Sequence, residues 1–313
     1  MNHKVISLLL LGFLTIFCVT ALAQENALRL AQTTLSTDST EADELKIAAL
    51  EALMTAPSGR AYPLVVKVLD GEHSDAVKSR ALFVLGQIDT DEARQRLLAF
   101  ATDGSGSLQR EAIRMLGISG DRDALRQLGS LYREGSPEVR ASVLNAYLIA
   151  GDARLVFDIA QNAGSEAEFN AAVQTLAAMD ATDMLRQLQE KAGSSEGLMQ
   201  AYAIAGDLES LLQIARSPND PEARIRATRN IGIIGGDEAG STLLDLYRES
   251  GSSDVREAAL QGMLIHGHDE GVVTLYRESN DTSEKQRLLR TLIMMNSDLA
   301  LELVDAALEG GAR

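Results

Sequence analysis

The chain has 313 residues and a formal net charge of −16, with one cysteine, no tryptophan and an aromatic fraction of only 4%. The acidity argues against binding to nucleic acid phosphates, which needs clustered lysine and arginine. The shortage of aromatic rings argues against stacking sites for bases, and a single cysteine excludes disulfides within the chain.

The first predicted element is a signal peptide at residues 1–23. Lys4 precedes a near-continuous apolar run, and Ala21-Leu22-Ala23 forms a cleavage site of the small-x-small type. We therefore expect a mature chain that begins at Gln24 and is periplasmic or secreted, with residues 24–41 as an N-terminal extension. A retained membrane anchor is the alternative, because the apolar stretch is nearly as long as the roughly 20 residues that a spanning helix needs.

After the extension, one pattern of two amphipathic helices recurs along the chain. Its clearest copy is Ser107–Gly135, where apolar residues recur at three- and four-residue spacing, first from Leu108 and then from Ala124. Gly120-Asp121 separates the two halves, because glycine ends a helix in the left-handed conformation and aspartate caps the next helix. The pattern predicts nine helix pairs between about Ala42 and Leu308.

The repeated phrase is Val-Arg-x-x-Ala-Leu-x-x-Leu-Gly-x-x-Gly-Asp, followed by Ala-x-x-x-Leu, and it resembles the bacterial HEAT repeat of the bilin-lyase type. The resemblance implies an all-α fold, a right-handed α-solenoid of about nine HEAT-like helix pairs over residues 42–313. Five segments carry the match: Val77–Ala93, Leu108–Ala124, Val139–Leu155, Ala223–Ala239 and Val255–Val272.

Two units in the middle, roughly Glu166–Gly193 and Ser194–Asn219, depart from the repeated phrase because they lack its Val-Arg start. Gly197 lies inside the first predicted helix of the second of them, where glycine weakens a helix by about 1 kcal/mol relative to alanine. A bend or a soft joint is therefore expected in this part of the array.

Two short motifs resemble sites of chemistry. Gly193-Ser194-Ser195-Glu196-Gly197 matches the G-x-S-x-G nucleophile elbow, but that motif follows a strand, whereas a helical pattern precedes it here. His266-Gly267-His268-Asp269 offers two imidazoles and a carboxylate, but a closed zinc site needs three or four ligands. We interpret both motifs as turns of the repeat, with Asp269 as a helix cap.

Polar residues that recur in every unit are interpreted as parts of the repeat. Aspartates after the glycines are expected to cap helices, and the recurring arginines to make hydrogen bonds between repeats. These residues are Asp121, Asp152, Asp207, Asp237, Arg140, Arg224 and Arg256. We thus predict no catalytic residue, no cofactor and no metal site.

Binding residues are expected where the repeats differ. The resemblance places the Val-Arg helix of each unit on the concave face of the solenoid, and side chains of these helices that point away from the core are candidates for binding a partner. Ordinary solvated helix residues are the alternative interpretation. The candidates are Arg80, Phe83, Arg110, Arg114, Asn145, Arg226 and Arg229.

Together these observations predict an exported, non-enzymatic scaffold or adaptor of the bacterial envelope. We expect it to be a monomer that binds a protein partner with an acidic surface, because arginine suits recognition of carboxylates. No nucleic acid partner is expected, nor membrane insertion after signal cleavage. The alternatives are an accessory subunit of an enzyme, as in lyase-like HEAT proteins, and a purely structural spacer.

Overall fold

The computed structural model describes residues 41–310, and in this range the protein consists of helices without any strand. The first two helices are α1 (41–52) and α2 (Ser58–Asp70), joined by a 3-10 turn at Leu53–Thr55. The remaining helices are α3 (Asp75–Gly86), α4 (Asp91–Asp103), α5 (Gly106–Ser119), α6 (Arg122–Glu134), α7 (Pro137–Ala150), α8 (Ala153–Gln161), α9 (Glu166–Ala178), α10 (Thr182–Ala192), α11 (Glu196–Ala205), α12 (Leu208–Arg216), α13 (Pro221–Ile234), α14 (Gly236–Glu249), α15 (Ser253–His266), α16 (Asp269–Glu278), α17 (Thr282–Met294) and α18 (Asp298–Gly310).

These helices form nine consecutive pairs within residues 41–310, which confirms the predicted all-α solenoid and its number of units. The two irregular units of the middle also fold as pairs, α9 with α10 and α11 with α12. The predicted signal peptide at 1–23 and nearly all of the extension at 24–41 lie outside the described residues.

The chain divides into two compact bodies of several helix pairs each, called the first and the second unit below, and the division falls within α6. One unit ends at Ala124, and the other begins at Leu125. In the first, α3 packs on α5 and each contacts α4; in the second, each odd-numbered helix from α7 to α15 packs on the next odd-numbered helix. Stacking of this kind is required because no single helix pair can bury its apolar face alone.

Three odd-numbered helices, α7, α11 and α13, each begin directly after a residue whose side chain caps them. Ser136 and Ser195 each accept a hydrogen bond from the backbone N–H three residues later, at 3.4 and 3.3 Å. Asp220 does the same for Ala223 at 2.9 Å. Ser195, the central serine of the G-x-S-x-G motif, is therefore a helix cap between α10 and α11, as the sequence indicated.

Two of the predicted aspartate caps are wrong. Asp121, Asp152 and Asp207 do accept from the backbone N–H of the following helix. Asp237, however, lies inside the first turn of α14, because Gly235 and Gly236 both adopt positive φ and the helix begins at Gly236. Asp269 is likewise the first residue of α16, and its carboxylate accepts a hydrogen bond from Ser297 instead.

Two of the recurring arginines link repeats, as predicted. Arg140 forms an ion pair with Glu168 of the following helix pair. Nε of Arg224 donates to the carbonyl oxygen of Ala215 in the preceding helix pair, at 3.2 Å. These side chains therefore hold neighbouring pairs in register.

The core is largely aliphatic, and among the described residues it includes two fully buried tyrosines, Tyr147 and Tyr202. The hydroxyl of Tyr147 donates to the carbonyl oxygen of Leu125, and that of Tyr202 donates to Oε1 of Gln189, so neither polar group is left unpaired. Among the described helices, none has both the length and the apolar character that crossing a membrane requires.

Candidate functional site

A groove of about 520 Å³ lies between α7 and α9 in the second unit. Leu144 and Leu148 provide its apolar surface on the α7 side, and small residues provide most of it on the α9 side. The residues that line it are Tyr132, Pro137, Arg140, Ala141, Leu144, Asn145, Leu148, Ser165, Ala167, Glu168, Ala171, Gln174, Thr175 and Ala178.

The sequence of α9 explains why the groove is open. Ala167, Ala171 and Ala178 lie on the helix face that lines it, at spacings of four and seven residues, which place them on one side of a helix. Short side chains on this side leave room beside the leucines of α7. The alanines are part of the middle segment that departs from the repeated phrase, so the irregular sequence produces a local cavity.

One end of the groove is polar. The guanidinium of Arg140 forms an ion pair with Glu168 and lies 5.9 Å from the ring centroid of Tyr132. Burial, reinforced by the charge of Glu168, raises the pKa of Tyr132 above its ordinary value of 10.0. Ser165 caps α9 at the same end by accepting from the N–H of Glu168. This arrangement provides hydrogen-bonding groups and a paired charge beside an apolar surface, which is typical of a binding site.

In the first unit, most of the predicted binding residues contact each other or carboxylates of this chain. Arg80 lies 3.3 Å from Glu51, and its guanidinium is 5.3 Å from the ring centroid of Phe83. Arg114 makes a bidentate pair with Glu111, on the same helix. Arg110 is exposed, and no partner for it occurs among the described residues.

In the second unit, the structure separates the three predicted residues. Asn145 is exposed and lines the groove between α7 and α9. Arg226 is held by Glu196 and Glu222 at 3.6 and 3.4 Å. Nε of Arg229 donates to Oε1 of Gln261 on α15 at 2.9 Å.

The predicted arginines therefore do not form an unpaired positive stripe in either unit. The sequence analysis found one residue of the groove, Asn145, and missed the others. The alanines at one face of α9 were the available signal, since alanine that recurs on one side of a helix indicates a surface with little side-chain bulk.

The His266-Gly267-His268-Asp269 segment is a turn between α15 and α16. The two imidazole rings stack with centroids 5.8 Å apart. His268 packs against Gly240 and Gly271, where a Cβ would contact its ring. Within the described residues, no group of three or more histidine, cysteine or acidic side chains is arranged to hold a metal ion.

Comparison with protein families shows HEAT repeats at residues 62–148. No curated protein sequence matches the chain. Two similar solved structures are the complex of CpcE and CpcF of phycocyanin lyase from Nostoc sp. PCC7120 and human deoxyhypusine hydroxylase in complex with glycerol. The first is 19% identical with a TM-score of 0.33 and covers 74% of this chain and 94% of its own. The second is also 19% identical, with a TM-score of 0.32, and covers 84% of this chain and 90% of its own.

Proposed function

We propose that the chain is a non-enzymatic HEAT-repeat scaffold that binds a partner protein in the groove between α7 and α9; the HEAT repeats matched at residues 62–148 support the scaffold. The observation that carries the proposal is the groove itself, whose apolar surface of leucines and alanines ends at the ion pair of Arg140 and Glu168. Such a surface can bury an apolar side chain of a partner and orient it through hydrogen bonds at the polar end.

The groove is a better place for the partner than the predicted arginines. Arg80, Arg114 and Arg226 already have carboxylate neighbours within this chain. An acidic partner surface would have to displace those neighbours. The ion pairs that it formed in exchange would contribute little, because they would lie at exposed positions. The proposal therefore does not depend on an acidic partner.

We further propose that the protein acts in the bacterial envelope, on the basis of the cleavage site Ala21-Leu22-Ala23. The monomeric state expected from the sequence stays a separate proposal. N-terminal sequencing of the protein from fractionated cells tests the location. A mature chain that begins at or near Gln24 supports export, and an intact Met1 contradicts it. Light scattering of the purified protein measures the oligomeric state.

The binding proposal is tested by filling the groove. Ala178 is exposed at the groove surface, so Ala178→Trp adds bulk there without entering the core. We expect capture of partners from an envelope extract to fall at least about tenfold, which corresponds to about 1.4 kcal/mol. The matched control is Arg110→Glu on α5, which changes an exposed residue outside the groove.

Thermal melts of both variants establish that the fold is intact. Capture that survives Ala178→Trp and is lost with Arg110→Glu would place the partner on the arginines and contradict the groove. Substrate turnover by the isolated protein would support the enzyme-subunit alternative instead. Absence of any captured partner would favour a structural spacer.

A further inference from the structure

Another groove, of about 760 Å³, lies between α1 and α2 in the first unit. We call it the N-terminal groove. Ala49 and Leu50 of α1 line it, together with Leu53 of the 3-10 turn and with Leu64 and Val68 of α2. Leu64 is a large apolar residue, yet it is 50% exposed. The first helix pair therefore presents an apolar surface that its own two helices do not cover.

Hydrogen bonds show how the first two helix pairs correspond to each other. Oγ of Ser74 donates to Asp43 of α1 at 2.6 Å, and Oγ of Ser107 donates to Asp75 of α3 at 2.8 Å. Asp43 and Asp75 therefore occupy the same position in α1 and α3. Residues that follow these two aspartates at equal distances can be compared directly.

The comparison shows which side of α1 is uncovered. Ala49 and Ala81 occupy the same position after the aspartates, but Ala81 is fully buried and Ala49 is exposed. α1 lies beside α3, since Glu51 forms an ion pair with Arg80 at 3.3 Å, and α3 also packs on α5. α3 thus has a neighbour on each side, whereas no helix precedes α1 among the described residues. Ala49 is therefore exposed on the side that a preceding helix pair would cover.

The same comparison applies to α2 and α4. Ala61 and Ala93 are buried, and Leu64 and Arg96 occupy the same position after them. Arg96 reaches back to α2, where it forms an ion pair with Asp70. Leu64 therefore lies on the side of α2 that faces away from α4, where a preceding even-numbered helix would pack.

The sequence just before α1 has a pattern that fits this space. In α2 and α4, the buried face is an alanine followed by two apolar residues at four-residue spacing. These residues are Ala61, Val65 and Leu69 in α2, and Ala93, Leu97 and Ala101 in α4. Residues 24–40 lie outside the described residues, and their sequence has the same spacing at Ala27, Ala31 and Leu35. This spacing predicts the buried face of one more even-numbered helix.

Residues 24–40 are also long enough to reach the N-terminal groove. Residues 27–35 would span about 13 Å as a helix. Residues 36–40 connect them to α1 and span up to about 17 Å when extended, which is close to the length of α1, about 18 Å. Because the connection is short, the effective concentration of the segment at the groove is in the millimolar range. This tethering favours the segment over a second copy of the chain or a separate partner.

We propose that residues 24–40 pack into the N-terminal groove and form the cap of the helical array, with Ala27, Ala31 and Leu35 facing α1 and α2. A solenoid needs terminal caps that bury the last apolar face and present a polar surface to water. The other side of the segment supplies this polar surface, which includes Thr33 and Thr37. The proposal goes beyond the binding function and does not depend on the groove between α7 and α9.

Cross-linking within the chain tests this placement. The chain from Gln24 to Arg313 contains no cysteine, so only introduced thiols react with a short bis-maleimide. Leu28→Cys is combined with Lys67→Cys at the N-terminal groove. The matched control combines Leu28→Cys with Arg110→Cys, which replaces another exposed cation of the first unit, on α5 and outside the groove. Cross-linking is expected to be at least about tenfold faster for the first pair of cysteines.

Substitutions then test whether the apolar face of the segment packs in the groove. Ala31→Glu combined with Leu35→Glu is expected to slow cross-linking to position 67 at least about tenfold. The matched control, Thr33→Glu combined with Thr37→Glu, adds the same charge on the other side and is expected to leave the rate unchanged. Leu64→Glu tests the groove from the α2 side and is expected to slow cross-linking by a similar factor. Thermal melts check that every variant is folded.

Equal rates for the two pairs of cysteines would overturn the proposal, and so would equal slowing by the glutamates on the two sides of the segment. Cross-links that form mainly between two chains would also overturn it, because a second copy would then cover the groove. Cross-linking to position 67 that is fast in all the glutamate variants would show a segment that lies near the groove without packing in it, and would refute the cap. The proposed binding function is tested separately by Ala178→Trp, so the two can fail independently.

Discussion

Asn170 of α9 lies directly against Gly197 of α11, so that a Cβ atom on Gly197 would overlap the amide of Asn170, 2.5 Å from its Cγ. The Oδ1 atom of Asn170 is buried and has no hydrogen-bond partner among the described residues. The glycine that interrupts the helical pattern of α11 therefore has a packing role. The absence of a side chain at Gly197 allows the side chain of Asn170, from the preceding helix pair, to fit between α9 and α11.

This contact predicts that Gly197→Ala destabilises the protein. Helix propensity alone predicts a gain of about 1 kcal/mol, but the added methyl group overlaps the buried Oδ1 atom of Asn170, and overpacking costs about 1–3 kcal/mol. Urea unfolding measures the change. The double variant Gly197→Ala with Asn170→Ala removes the overlap and is expected to be more stable than Gly197→Ala alone. A single variant as stable as the wild type would contradict the role of the contact.

A second prediction concerns α13 and α15, which approach each other at Gly232 and Gly262. A Cβ on Gly232 would lie 2.6 Å from the Cα of Gly262, and backbone atoms cannot rotate away. We expect Gly232→Ala to cost about 1–3 kcal/mol or more in unfolding free energy. The control is Gly59→Ala in α2, where a Cβ meets open space and a small gain of about 0.5–1 kcal/mol is expected. Equal stabilities of the two variants would refute the close approach.

A third prediction tests the core of the first unit. Leu116 on α5 is fully buried, so Leu116→Ala should cost about 2–5 kcal/mol. Ile118 on the same helix is exposed, and Ile118→Ala should change stability by no more than about 0.5 kcal/mol. Denaturant melts followed by two probes are needed, because long repeat arrays do not always unfold in one step. Similar losses in both variants would mean that the register of α5 is wrong.

A fourth prediction concerns Asp207, the cap of α12. Burial acts to raise the pKa of this carboxyl, but hydrogen bonds from Ser210 and Arg186 outweigh it and hold the pKa below the ordinary value of 3.8. Because the folded-state pKa is lowered, the carboxylate stabilises the fold above about pH 3.8, and this contribution is lost as the pH falls through the folded-state value.

Asp207→Asn is therefore expected to cost about 1–3 kcal/mol at pH 7, and the difference from the wild type should shrink as the pH falls below 3.8. Chemical unfolding at several pH values measures it. Asp183→Asn serves as control, since that exposed side chain lies 3.9 Å from the same Arg186 and should matter little. A difference that is constant with pH would show that the charge of Asp207 is not involved.

The sequence predicted the nine helix pairs and most of their boundaries, because capping serines and left-handed glycines act within a few residues of themselves. It failed at Asp237 and Asp269 for a related reason. Gly235 and Gly236 shift the start of α14 two residues towards the N-terminus, and His268 takes the capping position before α16. In both cases a neighbouring residue became the N-cap, so the aspartate lies inside the first turn of the helix and not at the capping position that the repeat implied.

What the sequence determined by itself is the series of helices, since hydrophobic period, caps and turn residues are local properties that recur in each unit. Which exposed side chains become neighbours was decided by the tertiary structure alone. Arg229 and Gln261 are 32 residues apart in the chain, yet they bond because α13 and α15 pack closely at Gly232 and Gly262. The groove between α7 and α9 likewise exists because alanines of one helix face leucines of another, which depends on how two units stack.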